Sequence, residues 1–376
     1  MPTIPVALPE SWTPRTLAGL RQSLLHWFDR NRRDLPWRAD RDPYRIWVSE
    51  AMLQQTTVAA VVPYFHRFLA AFPDVRALAA ASEADVLRLW EGLGYYRRAR
   101  HLHATAKRIV ADHNGCFPDD PAAWTEFPGV GRYMLGAILS QAFERRLPIV
   151  EANSMRVLAR LFGNEDDPRT GAGRDWVWRA AEAVLPRKRI GDFNQAVMEL
   201  GALVCSPRAP DCAVCPWARA CIANRDNRQE TIPPPKRPLA IERVREAAVA
   251  IRSGERYLVG RRPAGAGRWA DLWEFPHADW PAGEDLFAAS ERIARELTGL
   301  TVRAEGEFAN VRHGVTRYTI VMTGVRAERV RGRERAGFHA ELRWVLPAEL
   351  ADLPTSTPQR ALFRAVVAPT EPGLFS

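Results

Sequence analysis

The chain of 376 residues is 47% hydrophobic and 26% charged, which excludes a disordered or fibrous protein and predicts two or three globular domains. Its formal net charge of +9 favours a polyanionic partner such as nucleic acid, although an arginine-rich proteome would give the same balance. No apolar run approaches the roughly 20 residues of a membrane span, and residues 1–9 lack a signal-peptide pattern. We therefore expect an intracellular protein that does not enter a membrane.

The first helical patterns follow a proline-rich start. One begins near Leu17 and is broken at Asp34–Arg38. The next is opened by Asp42 as cap and Pro43 in the first turn, and it contains Glu50 among apolar residues. Glu50 is either a charge on the exposed face of this helix or an acid whose pKa is raised by apolar surroundings. The residues alone leave both interpretations open.

Further helical patterns, each closed by Gly or Pro, continue to about residue 225. They cover residues 58–72, 83–93, 96–113, 124–127, 154–162, 176–184 and 192–204. The turn at 92–98 carries two aromatic rings and two guanidinium groups. Such a turn either contacts bases and phosphates or is a solvated loop. The first 225 residues are therefore predicted to be all-α.

A tight turn lies between helical patterns at 121–127 and 132–143. It contains Pro128, Gly129 and Gly131, and glycines without Cβ let backbone N–H groups approach an anion at the positive end of the following helix. This is the chemistry of a helix-hairpin-helix that grips a DNA phosphate. An ordinary turn between two helices has the same local pattern.

Four cysteines lie close together in the sequence, with six, two and five residues between them: Cys205, Cys212, Cys215 and Cys221. Four thiolates in so short a segment can ligate either a zinc ion or a 4Fe-4S cluster. Cys116 lies outside the pattern and is interpreted as an isolated thiol.

The composition changes after residue 225. Residues 226–245 form a proline-rich linker. The second domain, residues 246–368, shows strand patterns at 247–251, 257–260, 318–325 and 342–345 and a helical pattern at 286–297. This mixture predicts an α+β domain.

The motifs of the first region are similar to those of the endonuclease III superfamily of DNA glycosylases, and more closely to its MutY-type adenine glycosylase branch. They are LPWR at 35–38, WVSEAMLQQT at 47–56, EGLGYY at 91–96, PGVG at 128–131 and the four spaced cysteines. The resemblance covers nearly the whole chain. It implies an all-α helix-hairpin-helix catalytic region at 1–225, with a six-helix-type subdomain at about 36–142 and a cluster subdomain made of about 15–35 plus 143–225. It also implies that the cysteines hold a 4Fe-4S cluster rather than zinc.

The resemblance assigns catalytic roles. Glu50 matches the general acid that protonates adenine at N7 and afterwards assists water. Tyr133 stands where bifunctional members, which also nick the backbone, carry a Schiff-base lysine. A monofunctional glycosylase is therefore implied.

A second carboxylate of the family stabilises the oxocarbenium-like sugar. The family carries it in an Asp-Gly-Asn motif, whereas this chain has Glu151-Ala152-Asn153, which keeps the charge on a longer side chain. We expect Glu151 and Asn153 to be catalytic. In the alternative interpretation, Glu151 only caps the helix that begins near Ser154.

The resemblance also implies DNA contacts, since the target base must leave the stack. The hairpin residues Gly129, Val130 and Gly131 bind the backbone. Gln55 and Tyr95 wedge into the stack. Trp37, Arg38 and Leu53 line the adenine pocket.

The segment Gly267–Pro276 resembles the Nudix-related domain appended to adenine glycosylases. Only Glu296 fits the acidic box of a hydrolytic Nudix enzyme, so we expect no pyrophosphatase activity. In the family this domain recognises 8-oxoguanine through a Phe-Ser-His loop, matched here by Val315, Thr316 and Arg317. Only the hydroxyl is kept, which weakens the expected discrimination, and a simple strand edge is the alternative.

The sequence thus predicts a monomeric, monofunctional adenine glycosylase of base-excision repair that acts on duplex DNA containing A opposite 8-oxoguanine or G. Two alternatives stay open. A non-catalytic mismatch-binding protein follows if Glu151 cannot serve, and a bifunctional glycosylase and lyase would require a nucleophile other than the missing lysine.

Overall fold

The computed structural model describes residues 6–235, 240–315 and 317–368. Contacts divide the described chain into two compact units. The first contains residues 6–80 and 101–235, and the second contains residues 81–100 together with the described residues from 240 onward. None of the described helices is both long and apolar enough to cross a membrane.

The described residues up to 225 contain helices and no strands, as predicted. The helices are α1 (Pro14–Asn31), α2 (Pro43–Leu53), α3 (Val58–Ala71), α4 (Val75–Ala80), α5 (Glu83–Trp90), α6 (Arg97–His113), α7 (Arg132–Phe143), α8 (Ala152–Phe162), α9 (Gly171–Val184), α10 (Ile190–Leu203) and α11 (Ile222–Arg225), with short 3-10 turns at Pro36–Arg38 and Pro121–Trp124. Of these, α5 and the turn after it belong to the second unit.

Local capping chemistry sets the helices that carry the site. Asp42 accepts a hydrogen bond from the Tyr44 N–H at 2.9 Å and Pro43 occupies the first turn of α2, which confirms the predicted helix start. Apolar side chains of α1, α8, α9 and α10, including Leu24 and Phe28, form a buried core beneath the cysteine loop. The cap therefore fixes the start of α2, and the core holds α8 and α10 in place.

The second unit is built on a mixed sheet. Its elements are β1 (Glu242–Ser253), β2 (Arg256–Arg261), β3 (Trp273–Glu274), β4 (His277–Asp279), α12 (Leu286–Thr298), β5 (Thr301–Val315), β6 (Tyr318–Arg331), β7 (Glu341–Val345), a 3-10 turn at Pro347–Ala351 and α13 (Thr357–Val367). The described strands follow the order β3-β2-β1-β6-β5, with β4 on β1 and β7 on β2. The β1 and β6 strands run parallel and the other pairs run antiparallel.

The apolar run in β1 explains why helices cover both faces of this sheet. Successive strand residues point to opposite faces. Ala247, Val249 and Ile251 pack with α12, whereas Ala248 and Ala250 pack with α13. The predicted α+β fold is confirmed, with the sheet between two helices.

Candidate active site and DNA-contact residues

A cleft of about 640 Å³ in the first unit gathers the predicted catalytic side chains. Its walls come from α2, α7, α10 and the start of α8. The four residues Glu50, Tyr133, Glu151 and Asn153 all line it, together with the predicted base-pocket and wedge residues Trp37, Arg38, Leu53 and Gln55. The structure thus brings together side chains that are up to 116 positions apart, from Trp37 to Asn153.

Glu50 lies on the buried side of α2, not on its exposed face. Its exposure is only 4%. The Tyr133 hydroxyl donates a hydrogen bond to its Oε2, and Gln141 Nε2 donates to its Oε1 at 3.2 Å. Both partners come from α7. The carboxyl group is therefore held at both oxygens by neutral donors.

Burial raises the pKa of Glu50, while the hydrogen bonds from Tyr133 and Gln141 offset part of this rise. Burial and the adjacent Glu50 charge raise the pKa of Tyr133 well above its ordinary value. The phenol therefore stays a proton donor in this pair. Of the two interpretations of Glu50, the geometry supports a protonatable acid in apolar surroundings.

Close packing brings the second carboxylate to the same cleft. Gly136 of α7 faces the segment that leads to Glu151, and a Cβ on Gly136 would lie 2.3 Å from the Pro148 carbonyl oxygen. Glu151 is the N-cap of α8 and accepts hydrogen bonds from the Asn153 and Ser154 N–H groups, each at 2.8 Å. Glu151 therefore caps α8, and the same carboxylate also lines the cleft.

The electrostatics of Glu151 resemble those of Glu50. Burial raises its pKa, and the two N–H donors of the helix terminus act in the opposite direction. Asn153 is held beside it because its Oδ1 accepts from Arg156 Nη2 at 2.9 Å. Gly201 of α10 allows this approach, since a Cβ there would lie 2.6 Å from the Asn153 Cβ.

Two cleft residues were missed from the sequence. Gln141 lies two turns after Tyr133 on the same helix, a spacing that could have indicated a shared face. Glu199 accepts from Arg33 Nε at 2.8 Å and from Arg38 Nη2 at 3.0 Å. Burial favours a higher pKa for Glu199, but these two guanidinium groups outweigh it and lower the pKa to about 2. Arg38 is therefore held in a buried ion pair at the edge of the pocket.

The hairpin turn has the geometry that an anion grip requires. Gly129 has a φ of +79°, and a Cβ there would lie 2.7 Å from His101. Gly131 is the N-cap of α7 and has no side chain that could cap it. The first N–H groups of α7 lie at the positive end of the helix dipole.

The two predicted wedge residues share an unusual backbone. Gln55 has a φ of 61° and Tyr95 a φ of 48°, both in the left-handed region that non-glycine residues seldom adopt. Gln55 is exposed on the rim of the cleft. Tyr95 is 56% exposed and lies in the second unit.

The four cysteines follow α10 and are free, half-buried thiols. Burial raises the pKa of Cys215 to about 12, and the other three thiols add to the rise. Arg160 Nη1 donates to Cys205 Sγ at 3.3 Å. In the described part of the chain, no three His, Cys, Asp or Glu side chains are arranged to hold a metal ion.

The predicted opposite-base residues are only partly described. Thr316 lies outside the described residues. Arg317 is exposed, lies 3.2 Å from Glu242 in an ion pair, and donates to the Tyr318 hydroxyl at 2.9 Å. Arg317 and Glu242 therefore form an exposed ion pair just before β6.

Comparison with known proteins agrees with this architecture. Residues 48–178 match the HhH-GPD superfamily of base excision DNA repair proteins, and residues 247–365 match the NUDIX domain. The chain is 34% identical over 265 residues to the adenine DNA glycosylase of Buchnera aphidicola subsp. Schizaphis graminum, which covers 70% of this chain and 76% of that protein. It is 34% identical over 326 residues to the Homo sapiens adenine DNA glycosylase, which covers 72% of this chain and 59% of that protein. A thermostable thymine-DNA glycosylase is structurally similar, with 28% identity and a TM-score of 0.52 over 56% of this chain and 98% of that one.

Proposed function

Because the chain belongs to the adenine DNA glycosylases, a family of base excision repair proteins, we propose that it hydrolyses the N-glycosidic bond of adenine mispaired with 8-oxoguanine or guanine. One observation carries the proposal. Glu50, a buried acid with a raised pKa, shares a cleft with a second carboxylate, Glu151.

Glu50 acts first, as the general acid. Its raised pKa favours the protonated form, and that proton goes to adenine N7, which makes the base a neutral leaving group. Tyr133 and Gln141 orient the carboxyl group. Once deprotonated, Glu50 accepts a proton from the water that attacks the sugar.

Glu151 acts on the positive charge that develops at the sugar. An anionic carboxylate in a partly dry cleft stabilises an oxocarbenium-like transition state more strongly than water does. The Asn153 and Ser154 N–H groups favour the ionised form and fix its position. The capping bonds therefore support the proposed role of this longer side chain.

The enzyme is proposed to be monofunctional. No lysine is found among the described residues that line the cleft, and Tyr133 occupies the position of the Schiff-base lysine. The product is then an intact strand with an abasic site. Such a site breaks only on treatment with alkali.

Duplex DNA is proposed to be bound as in the family. Gly129, Val130 and Gly131 grip the backbone, and Gln55 and Tyr95 enter the stack as the adenine is flipped into the cleft. Base flipping leaves the opposite base to be recognised, a role proposed for Thr316 and Arg317. We propose that one copy of the chain is sufficient.

We propose that Cys205, Cys212, Cys215 and Cys221 hold a 4Fe-4S cluster. Four half-buried thiols, of which Cys205 accepts a hydrogen bond from the Arg160 guanidinium, fit an anionic cluster. When bound, the cluster cross-links the loop that follows α10. A brown protein whose visible absorbance is lost in Cys212→Ser is expected, whereas a colourless protein with one equivalent of zinc would contradict this ligation.

The test is single-turnover cleavage of duplexes that carry A opposite 8-oxoguanine, G or T. Strand breaks should appear only after alkali and should be fastest opposite 8-oxoguanine. Tight binding without adenine release would favour the mismatch-binding alternative. Breaks without alkali, together with a borohydride-trapped adduct, would favour the bifunctional alternative.

A further inference from the structure

The turn that carries Tyr95 lies in the second unit, although residues 81–100 are far from the rest of that unit in sequence. Within this turn, Gly92 and Gly94 have φ values of 100° and 68°. The backbone of Tyr95 also lies in the left-handed region. A tyrosine holds such a backbone only where the surroundings impose it. The contacts of the turn should therefore show what imposes it.

The strongest of these contacts is a buried ion pair. Arg360 of α13 is 8% exposed and binds Glu91, just before the turn, with both arms: Nε to Oε1 at 2.7 Å and Nη2 to Oε2 at 2.8 Å. The same guanidinium donates to the carbonyl oxygens of Leu350, Ala351 and Leu353 at 2.7, 2.9 and 2.6 Å. All the N–H groups of the Arg360 guanidinium are thus used, and they join Glu91 to the segment around the 3-10 turn before α13.

A second contact fixes the other side of the turn. The Tyr96 hydroxyl donates to the Thr355 carbonyl oxygen at 2.7 Å in a buried position. Thr355 in turn donates through its hydroxyl to the Trp273 carbonyl oxygen at 2.5 Å. The residue after Tyr95 is therefore tied to the central sheet.

The turn is also closed internally. Trp90 Nε1 donates to the Gly94 carbonyl oxygen at 3.2 Å, and Arg98 Nη2 donates to the same oxygen at 3.1 Å. The Arg98 guanidinium lies 5.6 Å from the Tyr95 ring centroid. Between the two anchors, the Tyr95 ring is the large apolar group of the turn that stays exposed, at 56%.

We infer that the C-terminal part of the second unit supports the Tyr95 turn, and that Arg360 is a positioning residue for insertion of Tyr95 into DNA. The second unit then both inserts Tyr95 into the base stack and reads the opposite base. The inference rests on the proposed function, because it takes Tyr95 as a wedge. It assigns to α13 a part in excision, although Arg360 is not among the described residues that line the cleft.

A double-mutant cycle between Arg360→Met and Tyr95→Ala tests this inference in the full-length protein. If Arg360 acts through Tyr95, each single change slows single-turnover excision opposite 8-oxoguanine by about tenfold, less than the ~10²-fold loss from a misplacement of about 1 Å. The double variant should then be no slower than Tyr95→Ala alone. An Arg360→Met variant that keeps the wild-type rate, or that slows Tyr95→Ala by the same factor, overturns the inference.

A matched control separates positioning from general damage. Arg292 binds Glu284 through the same two-armed geometry in the same unit, at 2.8 Å on both arms. Arg292→Met should leave the excision rate unchanged. Should Arg360→Met fail to fold, Glu91→Gln carries the same cycle, since it leaves the carbonyl bonds of Arg360 in place, and additivity with Tyr95→Ala again overturns the inference.

A readout without catalysis keeps the two proposals apart. In the Glu50→Gln background, 2-aminopurine at the adenine position reports extrusion by its fluorescence. Tyr95→Ala and Arg360→Met should each reduce the rise, and together reduce it no more than Tyr95→Ala does. Absence of excision by the wild type would refute the proposed function, whereas an additive fluorescence cycle would refute only the role of Arg360.

Discussion

The two units each bury a glutamate almost completely, Glu50 at 4% exposure and Glu274 at 2%, but they surround it differently. The neighbours of Glu50 are a phenol and an amide, which are neutral. Glu274 accepts from Arg262 Nη1 at 2.9 Å and lies 3.1 Å from His277 Nε2 and 3.0 Å from His339 Nε2. Among the described residues, no cation lies within hydrogen-bond distance of Glu50, whereas Arg262 and His277 lie within that distance of Glu274.

Because of this difference, the pKa values of the two glutamates shift in opposite directions. Burial raises the pKa of Glu50, and its neutral donors do not cancel the rise. Burial acts the same way on Glu274, but His277 and Arg262 outweigh it and lower the pKa, while the pKa of His277 rises to about 10. Neutral donors thus preserve an acid that can exchange a proton, whereas cations convert a buried carboxylate into a permanent ion pair.

The largest effect is expected on the excision rate when Glu50 is changed. Glu50→Gln keeps the volume of the side chain and one acceptor oxygen, but its amide cannot protonate adenine, so single-turnover excision should fall by about 10²–10⁴-fold while duplex binding is retained. Glu165→Gln, an exposed glutamate of the same unit, is the control. A Glu50→Gln variant within about tenfold of the wild type would remove Glu50 from the acid role.

The second effect concerns stability. Glu274→Gln leaves Arg262 without its counter-charge and removes one of the two carboxylates beside His277, so the second unit should lose about 3–5 kcal/mol of unfolding free energy. Because the folded pKa of Glu274 is lowered, its contribution is present at neutral pH and is lost as the pH falls below the ordinary range of a glutamate. Urea denaturation at several pH values measures both. Glu284→Gln should leave the urea midpoint nearly unchanged, and equal losses in the two variants would contradict the account.

The third effect separates capping from catalysis at Glu151. Glu151→Gln keeps an acceptor for the α8 terminus but removes the charge, so excision should slow by about 10²-fold, with a stability change within about 1 kcal/mol. Asp285→Asn, the matched cap of α12 outside the cleft, should change stability to the same extent without slowing excision. If Glu151→Gln excises at the wild-type rate, this residue is a cap alone.

The smallest effect sharpens the role of neutral donors. Gln141→Leu removes the bond to Glu50 Oε1, which favours the ionised form, so the pKa of Glu50 should rise by less than about one unit. The protonated acid is the active form, so the excision rate should begin to fall at a higher pH than in the wild type. A fall that moves to lower pH would show that Gln141 acts otherwise.

Local signals explain what the sequence predicted. The α2 start follows from Asp42 and Pro43, and the buried strand β1 follows from its apolar run. The hydrogen-bond partners of the buried acids could not be predicted, because they are determined by tertiary packing. Gln141 reaches Glu50 across 91 positions, and His339 reaches Glu274 across 65. The sequence could not predict that residues 81–100 belong to the second unit, for the same reason.

The most direct test of the contrast is the unfolding free energy of the wild type and Glu50→Gln as a function of pH. The folded pKa of Glu50 is raised, so the wild type should lose stability as the pH rises from the ordinary glutamate range towards that raised value. Glu50→Gln should lack this loss and be at least as stable as the wild type at pH 7–8. If Glu50→Gln is instead less stable there, and increasingly so as the pH rises, Glu50 is a stabilising anion like Glu274, and the account of the acid is contradicted.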